Sequence, residues 1–398
     1  MRKFTALLLA ILMLLLMGMS WAQAAEDEEV QGTEVQEDQV VAIVNGEEIL
    51  LSTLETIEAQ YESLYEDRGY DLEEESVRAH LSDTALSALI EALLIEQDMR
   101  AQGFYDFDEE EEAAFEQLGQ QAYDACLQEL ESAYLASMNV EDTQDELTDS
   151  DTYQAQTDAE AYAVRMASQA GYSAETLAQK YRDQAALEAY QASLMEGEEI
   201  TEEDVAADYE ERVAASREAY ENDVAAYEEA LYYNEEVWYA PAGYRSVLQI
   251  LIATDEEGET VTLESAADTI AEIYARLEEG AAFTDLIAEY GEDTNFDNPD
   301  FYETGYQVHQ ESIVWEDAFI EAAFSEGMTE PGDVSEPFES DLGVHILYYL
   351  EDVPGGAVEL NDVLSELLSM QLYQTRLSEK LQERVDELAE AAEVELFA

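Results

Sequence analysis

A single cysteine, Cys126, stands in the 398-residue chain, so no disulfide can form within it and stability must come from packing. Its four-residue spacing from Ala122 and Leu130 marks it as a small buried hydrophobe on a helix. Basic residues are nearly as scarce, with 15 Lys and Arg against 97 Asp and Glu and a net charge of −82. A field of that sign repels nucleic acid and anionic membrane surfaces, favours solubility, and draws cations and basic unfolded segments. The acids read mainly as a solvated surface, because the Asp-x-Asp-x-Asp-Gly calcium pattern is absent. Absent too are Gly-x-Gly-x-x-Gly, a phosphate loop and His-Glu-x-x-His. The three histidines, His80, His309 and His345, are too scattered to propose zinc, and no cofactor or metal is expected.

Long apolar runs are also few. Arg2 and Lys3 precede one from Phe4 to Met19, followed by Ala22-Gln23-Ala24. Residues 1–24 therefore read as a secretory signal peptide, too short and wrongly flanked for a stable span, with an uncleaved anchor as the alternative. No cysteine follows the run, which excludes a lipobox anchor. The expected location is extracytoplasmic: secreted, cell-surface or periplasmic. Residues 25–39 are acidic and lack periodicity, as a disordered tether does.

The remainder has room for two or three domains. Val40 to Val44 reads as a strand, Asn45-Gly46 as a type I′ turn and Glu48 to Leu50 as the returning strand. Ser52 and Glu55 suggest a capping box that opens a helix through about Tyr65. From about 76 to 232 the pattern is helical: Leu81, Ala85, Leu86, Leu89, Ile90, Leu93 and Leu94 recur at three- and four-residue spacing, and Gly103 suits a C-terminal cap. A second helix extends to about 137, residues 139–158 form a loop or frayed end, and helices follow at 173–196 and 201–232. Pro241 and Gly243 mark a boundary. Two β-branched, apolar runs, at 244–252 and 343–350, bracket the next segment. Beyond Pro354-Gly-Gly356, Leu360, Val363, Leu364, Leu367, Leu368, Leu377, Leu381, Val385 and Leu388 give one long helix an apolar stripe. Such a stripe needs a partner, either the N-terminal helices or a second chain.

Three motifs stand inside the bracketed segment: Tyr290-Gly-Glu-Asp293-Thr, Trp315-Glu-Asp-Ala-Phe319-Ile-Glu-Ala-Ala-Phe324 and Gly343-Val-His345-Ile346. Their order resembles the parvulin family of peptidyl-prolyl isomerases. The opening Val-Val-Ala-Ile-Val-Asn-Gly-Glu-Glu-Ile and the segment Ile200-Thr-Glu-Glu-Asp-Val-Ala-Ala-Asp-Tyr209 resemble SurA/PrsA-like exported foldases. The resemblance implies an α+β fold: a helical chaperone domain (40–235), an inserted parvulin domain with a four-stranded sheet (244–352), and a C-terminal helix (358–396) returning to the helical domain.

Rotation about X–Pro is slow because the amide has partial double-bond character, with a barrier of roughly 18–20 kcal/mol. An apolar pocket for the proline ring and polar groups that favour the twisted amide lower it without metal or covalent chemistry. The resemblance implies Trp315, Phe319 and Phe324 as substrate-binding walls, with Phe324 open to a purely structural role. It implies Asp293, His345 and Ser340 as the polar cluster. The departure is Gln249: the family's first strand carries His-Ile-Leu where this chain has Gln249-Ile250-Leu251, and glutamine cannot become a cation. The family's Gly-Gly-Asp-Leu-Gly-Trp-Phe run is also replaced, by Asn298 through Tyr306, and His309 after it reads as surface. The scarcity of basic residues argues against phosphate-directed specificity. The implied function is isomerisation of X–Pro bonds in exported proteins, with unfolded or partly folded clients and proline peptides as partners. The competing reading is a non-enzymatic chaperone that keeps the domain as a peptide-binding module. Either way, the first and last strands should lie adjacent, with Gln249 beside His345 and Asp293 entering from its loop.

Overall fold

The computed structural model describes residues 38–137, 149–253 and 261–397. The expected signal peptide, nearly all of the expected tether and the first part of the expected loop at 139–158 lie outside the described residues. Two compact units divide the chain, 1–199 with 370–398 and 200–369.

The first unit opens with strands β1 (Val40–Val44) and β2 (Glu47–Leu50), joined through Asn45 at φ 52° and Gly46 at φ 91°. Two successive positive φ values are what a type I′ turn demands. Helix α1 (Leu51–Asp67) follows directly, and the expected capping box does not form. The helix begins one residue before Ser52, so the Ser52 hydroxyl and backbone N–H turn back to the Asp38 carboxylate. In α2 (Glu75–Ala101) the stripe Leu81, Ala85, Leu89 and Leu93 is buried in the unit's core, and the chain turns away at Gly103, φ +80°. Helix α3 (Glu109–Ser137) leaves Cys126 half-buried rather than enclosed. Helix α4 (Asp149–Gln169) starts where a loop or frayed end is expected. Its buried Ala159, Ala163 and Ala167 form a narrow, low-hydrophobicity stripe that polar neighbours conceal. Helix α5 (Ala174–Leu194) packs closely on α3: a Cβ on Gly119 would lie 2.4 Å from the Ala174 carbonyl oxygen.

The second unit begins with α6 (Glu202–Tyr220) and α7 (Val224–Tyr232). The single helix expected over 201–232 is split at Asp223, whose carboxylate accepts the Ala226 N–H at 3.0 Å and caps α7. Both helices belong to this unit, so its boundary lies at Ile200 rather than near 235. Ser216 on α6 anchors the chain that follows, its Oγ accepting the backbone N–H groups of Trp238 and Tyr239 at 2.9 and 3.0 Å. A short ladder pairs β3 (Tyr239–Ala240) with a strand near the end of the unit. Then come β4 (Tyr244–Ile252), α8 (Ala267–Glu278), α9 (Phe283–Tyr290), α10 (Phe301–Thr304), β5 (Tyr306–Val308), α11 (Asp317–Ala323), β6 (Phe338–Ser340), β7 (Gly343–Val353) and β8 (Gly356–Ala357), the partner of β3.

The main sheet has four antiparallel strands in the order β5-β4-β7-β6. Strand alternation splits its side chains between two cores. Leu248, Ile250, Val344 and Ile346 pack with Ile273 of α8 and Leu286 of α9. Val247, Leu347 and Tyr349 face the other way, against Phe319 and Ala323 of α11. That second core is small, which leaves room on its face for a cavity.

The last helix, α12 (Asp362–Ala391), buries Leu377, Leu381 and Val385 in the first unit's core, and β9 (Val394–Leu396) pairs with β1. The C-terminal helix thus returns to the helical unit. The stripe is covered only in part, since Val363 and Leu367 in its first half are exposed. Arg384 of α12 grips buried Asp98 of α2 with Nε at 2.9 Å and Nη2 at 2.7 Å, and the Tyr190 hydroxyl of α5 donates to the same carboxylate at 2.7 Å. Burial alone would raise the Asp98 carboxyl, but the hydrogen bonds from Arg384 and Tyr190 hold it below the usual carboxylate range.

Candidate active site

The two central strands build the floor of the cavity. In their antiparallel register Gln249 lies opposite Leu347 and Leu251 opposite His345, so Gln249 and His345 are diagonal neighbours on one face. Their side chains meet, with Gln249 Oε1 2.8 Å from His345 Nδ1, and the residues are only 6% and 3% exposed. Asp293 enters from the turn after α9, its Oδ1 accepting the Asn295 N–H at 3.0 Å. Its Oδ2 accepts from Gln249 Nε2 and from the Tyr306 hydroxyl, both at 2.6 Å. Ser340 ends β6, in the hairpin that leads into β7; its Oγ lies 2.6 Å from His345 Nε2 and accepts the Leu342 N–H at 3.0 Å. Gln249, His345, Asp293 and Ser340 are therefore brought together.

The carboxylate fixes every proton in this chain of bonds. An ionised Asp293 only accepts, so the Gln249 amide must turn its NH2 toward it and its oxygen toward the imidazole. His345 then carries its proton on Nδ1 and donates to Gln249, leaving Nε2 to accept from Ser340. A neutral imidazole satisfies all these partners, whereas a protonated one would lose the Ser340 donor. Burial pushes the His345 pKa down to about 4 against the opposing pull of Asp293. Burial and the hydrogen bond to Asp293 push the Tyr306 phenol up to about 12. His345 and Tyr306 are thus both neutral over the physiological range.

Above this floor lies a cavity of about 330 Å3, lined by the four polar residues and by Leu251, Asn295, Tyr306, Val314, Trp315, Glu316, Phe319 and Leu342. Trp315 and Phe319 stack with ring centroids 4.4 Å apart and planes 14° apart, and Tyr306 meets Trp315 edge-on at 5.2 Å. These three rings form an aromatic wall, the element an apolar ring-binding site needs. Trp315 is held by its indole N–H, which donates to the Gln307 carbonyl at 2.9 Å.

Phe324 is not part of the lining. It is the residue just past the end of α11, where the backbone leaves the helical conformation at φ −114° and ψ 20°. Its ring lies beneath the Arg245 guanidinium at 4.7 Å, while Arg245 donates to the Ala323 and Met328 carbonyls at 2.6 and 2.9 Å. His309 is not free surface either. It is half-buried, with Nε2 3.2 Å from the Ala242 carbonyl and Nδ1 accepting the Glu311 N–H at 3.0 Å.

Tyr306 is the site residue that motif reasoning passes over. Its signal is the preceding glycine. Gly305 has φ +57°, and a Cβ there would come within 2.6 Å of the Val247 carbonyl oxygen, so only glycine lets β5 start against β4 and aim Tyr306 at Asp293.

Residues 250–351 match the rotamase family, described as the PPIC-type PPIase domain. This segment is a parvulin-type domain. Foldase protein PrsA of Oceanobacillus iheyensis is 28% identical over 149 residues, which cover 36% of this chain and 46% of that protein. The match thus spans about half of the relative's length. Among solved structures, PrsA from Bacillus subtilis aligns at 17% identity over 65% of this chain and 80% of its own, with a TM-score of 0.21. A SurA-like chaperone of Campylobacter jejuni aligns at 16% identity over 90% of this chain and 100% of its own, with a TM-score of 0.32. Gln249, one residue before the matched segment, joins Asp293 to His345.

Proposed function

We propose that the parvulin domain catalyses cis–trans isomerisation of X–Pro bonds in unfolded exported proteins. The observation that carries this reading is the bonded chain Ser340–His345–Gln249–Asp293–Tyr306 lying beneath an aromatic-walled cavity. The walls Trp315 and Phe319 would take the proline ring and exclude water from the rotating bond. The polar floor would favour the twisted amide, whose nitrogen becomes pyramidal and whose charge is redistributed as resonance is lost. Nothing in that task needs a titrating imidazole, so Gln249 is compatible with it: a glutamine donates and accepts at the same time.

Asp293 and Glu316 are the only ionised groups in the lining, which contains no Lys or Arg. A phosphorylated residue before proline would be repelled, and neutral or basic segments would be preferred. The partial match to a PrsA foldase supports a foldase or chaperone role outside the cytoplasm, with unfolded exported chains as clients.

The test is a proline-peptide isomerase assay on the wild type, Asp293→Ala and Phe319→Leu. Removing the carboxylate unties both Gln249 and Tyr306, so Asp293→Ala is expected to slow turnover by about 10²-fold while leaving the fold intact. Phe319→Leu thins the wall and should weaken the reaction by about tenfold. Neither change should abolish suppression of client aggregation. An inactive wild type that still binds the peptide would favour the non-enzymatic binding module instead.

A further inference from the structure

Among the described residues of the second unit, Glu228 is the only acid that is buried, at 5% exposed. It lies on α7, upstream of the residues that match the isomerase family, and the reaction proposed above does not use it. A carboxylate is costly to bury unless donors fill its oxygens. Here three do. Oε1 accepts from the Tyr244 hydroxyl at 3.0 Å; Oε2 accepts from Ser312 Oγ at 3.0 Å and from the Ile313 backbone N–H at 2.7 Å. Burial, and then the bond to Glu228, push the Tyr244 phenol up, so it remains a donor.

Two of these donors belong to the loop that carries the cavity wall. Val314, Trp315 and Glu316, the next three residues, line the cavity. The loop's other bonds include the Ser312 N–H to the His309 carbonyl at 3.2 Å and, at its far end, the Trp315 indole N–H to the Gln307 carbonyl. The Ile313 and Val314 side chains are exposed, so burial does not anchor them. The Val314 N–H reaches Ser312 Oγ at 3.3 Å, which passes the Glu228 anchor on toward Trp315.

We propose that Glu228 is a positioning residue of the proline site: from α7 it holds Ser312 and Ile313 so that Trp315 stands against Phe319. The functional isomerase unit then begins well before β4, at the helices that precede it. The proposal rests on the reading of the cavity as the proline site. It predicts a division of effects, because none of the floor residues Gln249, Asp293, Ser340 and His345 bonds Glu228, whose one bond to β4 is at Tyr244, the far end of that strand from the cavity floor. Loss of the anchor should weaken binding more than the chemical step.

The experiment compares Glu228→Leu, Glu228→Gln and Ser312→Ala in the full chain, with the capped peptide Ala-Leu-Pro-Phe as probe. Turnover is measured by isomerase assay and peptide affinity by calorimetry. Leucine fills the space but leaves the Ile313 N–H and Ser312 hydroxyl unpaired, so KM and Kd should rise about tenfold with kcat changed less than about twofold. Glutamine can place its oxygen toward Ser312 and Ile313 and its NH2 toward the Tyr244 oxygen, which then accepts; it should restore both constants to within about twofold of the wild type. Ser312→Ala removes one anchor without leaving a buried charge unpaired, and should raise KM and Kd about threefold even if the leucine variant fails to fold. A wild type that binds the peptide without turning it over would refute the isomerase reading but leave the Kd comparison to decide the role of Glu228. Unchanged Kd and KM in folded variants, a glutamine variant as impaired as the leucine one, or a wild type that does not bind the peptide would each overturn the proposal.

Discussion

At the scale of single residues, the site is a set of proton assignments descending from one carboxylate. Asp293 orients Gln249, Gln249 selects the His345 tautomer, and the imidazole accepts from Ser340. The pH dependence follows. The folded protein holds His345 neutral down to about 4, whereas the unfolded chain protonates near the ordinary 6.5. His345 therefore contributes fully to stability above that ordinary value, and the contribution is lost as the pH falls toward the folded one. A shift of this size corresponds to roughly 3 kcal/mol. His345→Gln keeps every other titrating group, so the stability gap between it and the wild type in urea unfolding should narrow by roughly that amount from neutral pH to about pH 4. A gap that does not change with pH would mean that the folded protein does not keep the imidazole neutral.

At the scale of elements, legibility followed how far each one depends on local sequence. The hairpin at 40–50 was readable because Asn45-Gly46 admits little but the turn it makes. The strands holding Gln249 and His345 were readable from their apolar runs, and their meeting from alternation. Ser52 misled because a carboxylate distant in sequence, Asp38, outcompeted Glu55 as its partner. Helix α4 was hidden because its buried face is alanine. Phe324 matched a motif by spacing, but α11 ends at Ala323 and turns the ring toward Arg245. Glu228 offered no motif at all, since the donors that define it lie 16 to 85 residues away. Docking of α12 gives this scale its own test. Arg384→Ala would leave Asp98 buried with its strongest partner gone, at a cost of roughly 3 kcal/mol. Exchange of hydrogen for deuterium should then quicken in α12 beyond Met370 and spare the parvulin sheet. Unchanged protection there would show that the apolar contacts of Leu377, Leu381 and Val385 hold the helix unaided.

At the scale of the whole molecule, charge is the dominant quantity. With −82 formal charges on 398 residues, self-repulsion opposes every compact state, and added salt screens it. The melting temperature should rise by several degrees between about 0.05 and 1 M sodium chloride, at salt levels where isolated surface ion pairs are weakened. A melting temperature indifferent to ionic strength would show that the acids are spaced widely enough not to interact. The path of the chain has a consequence of a different kind. The first unit needs both ends of the sequence: β1 near the start pairs with β9 at the end, and its core closes around Leu377, Leu381 and Val385. The second unit is complete by residue 369. A chain emerging N-terminus first can therefore complete the second unit before the segment from Met370 onward arrives to close the first. Connectivity alone thus permits the unit proposed to act on prolines to close before the one that encloses it in sequence.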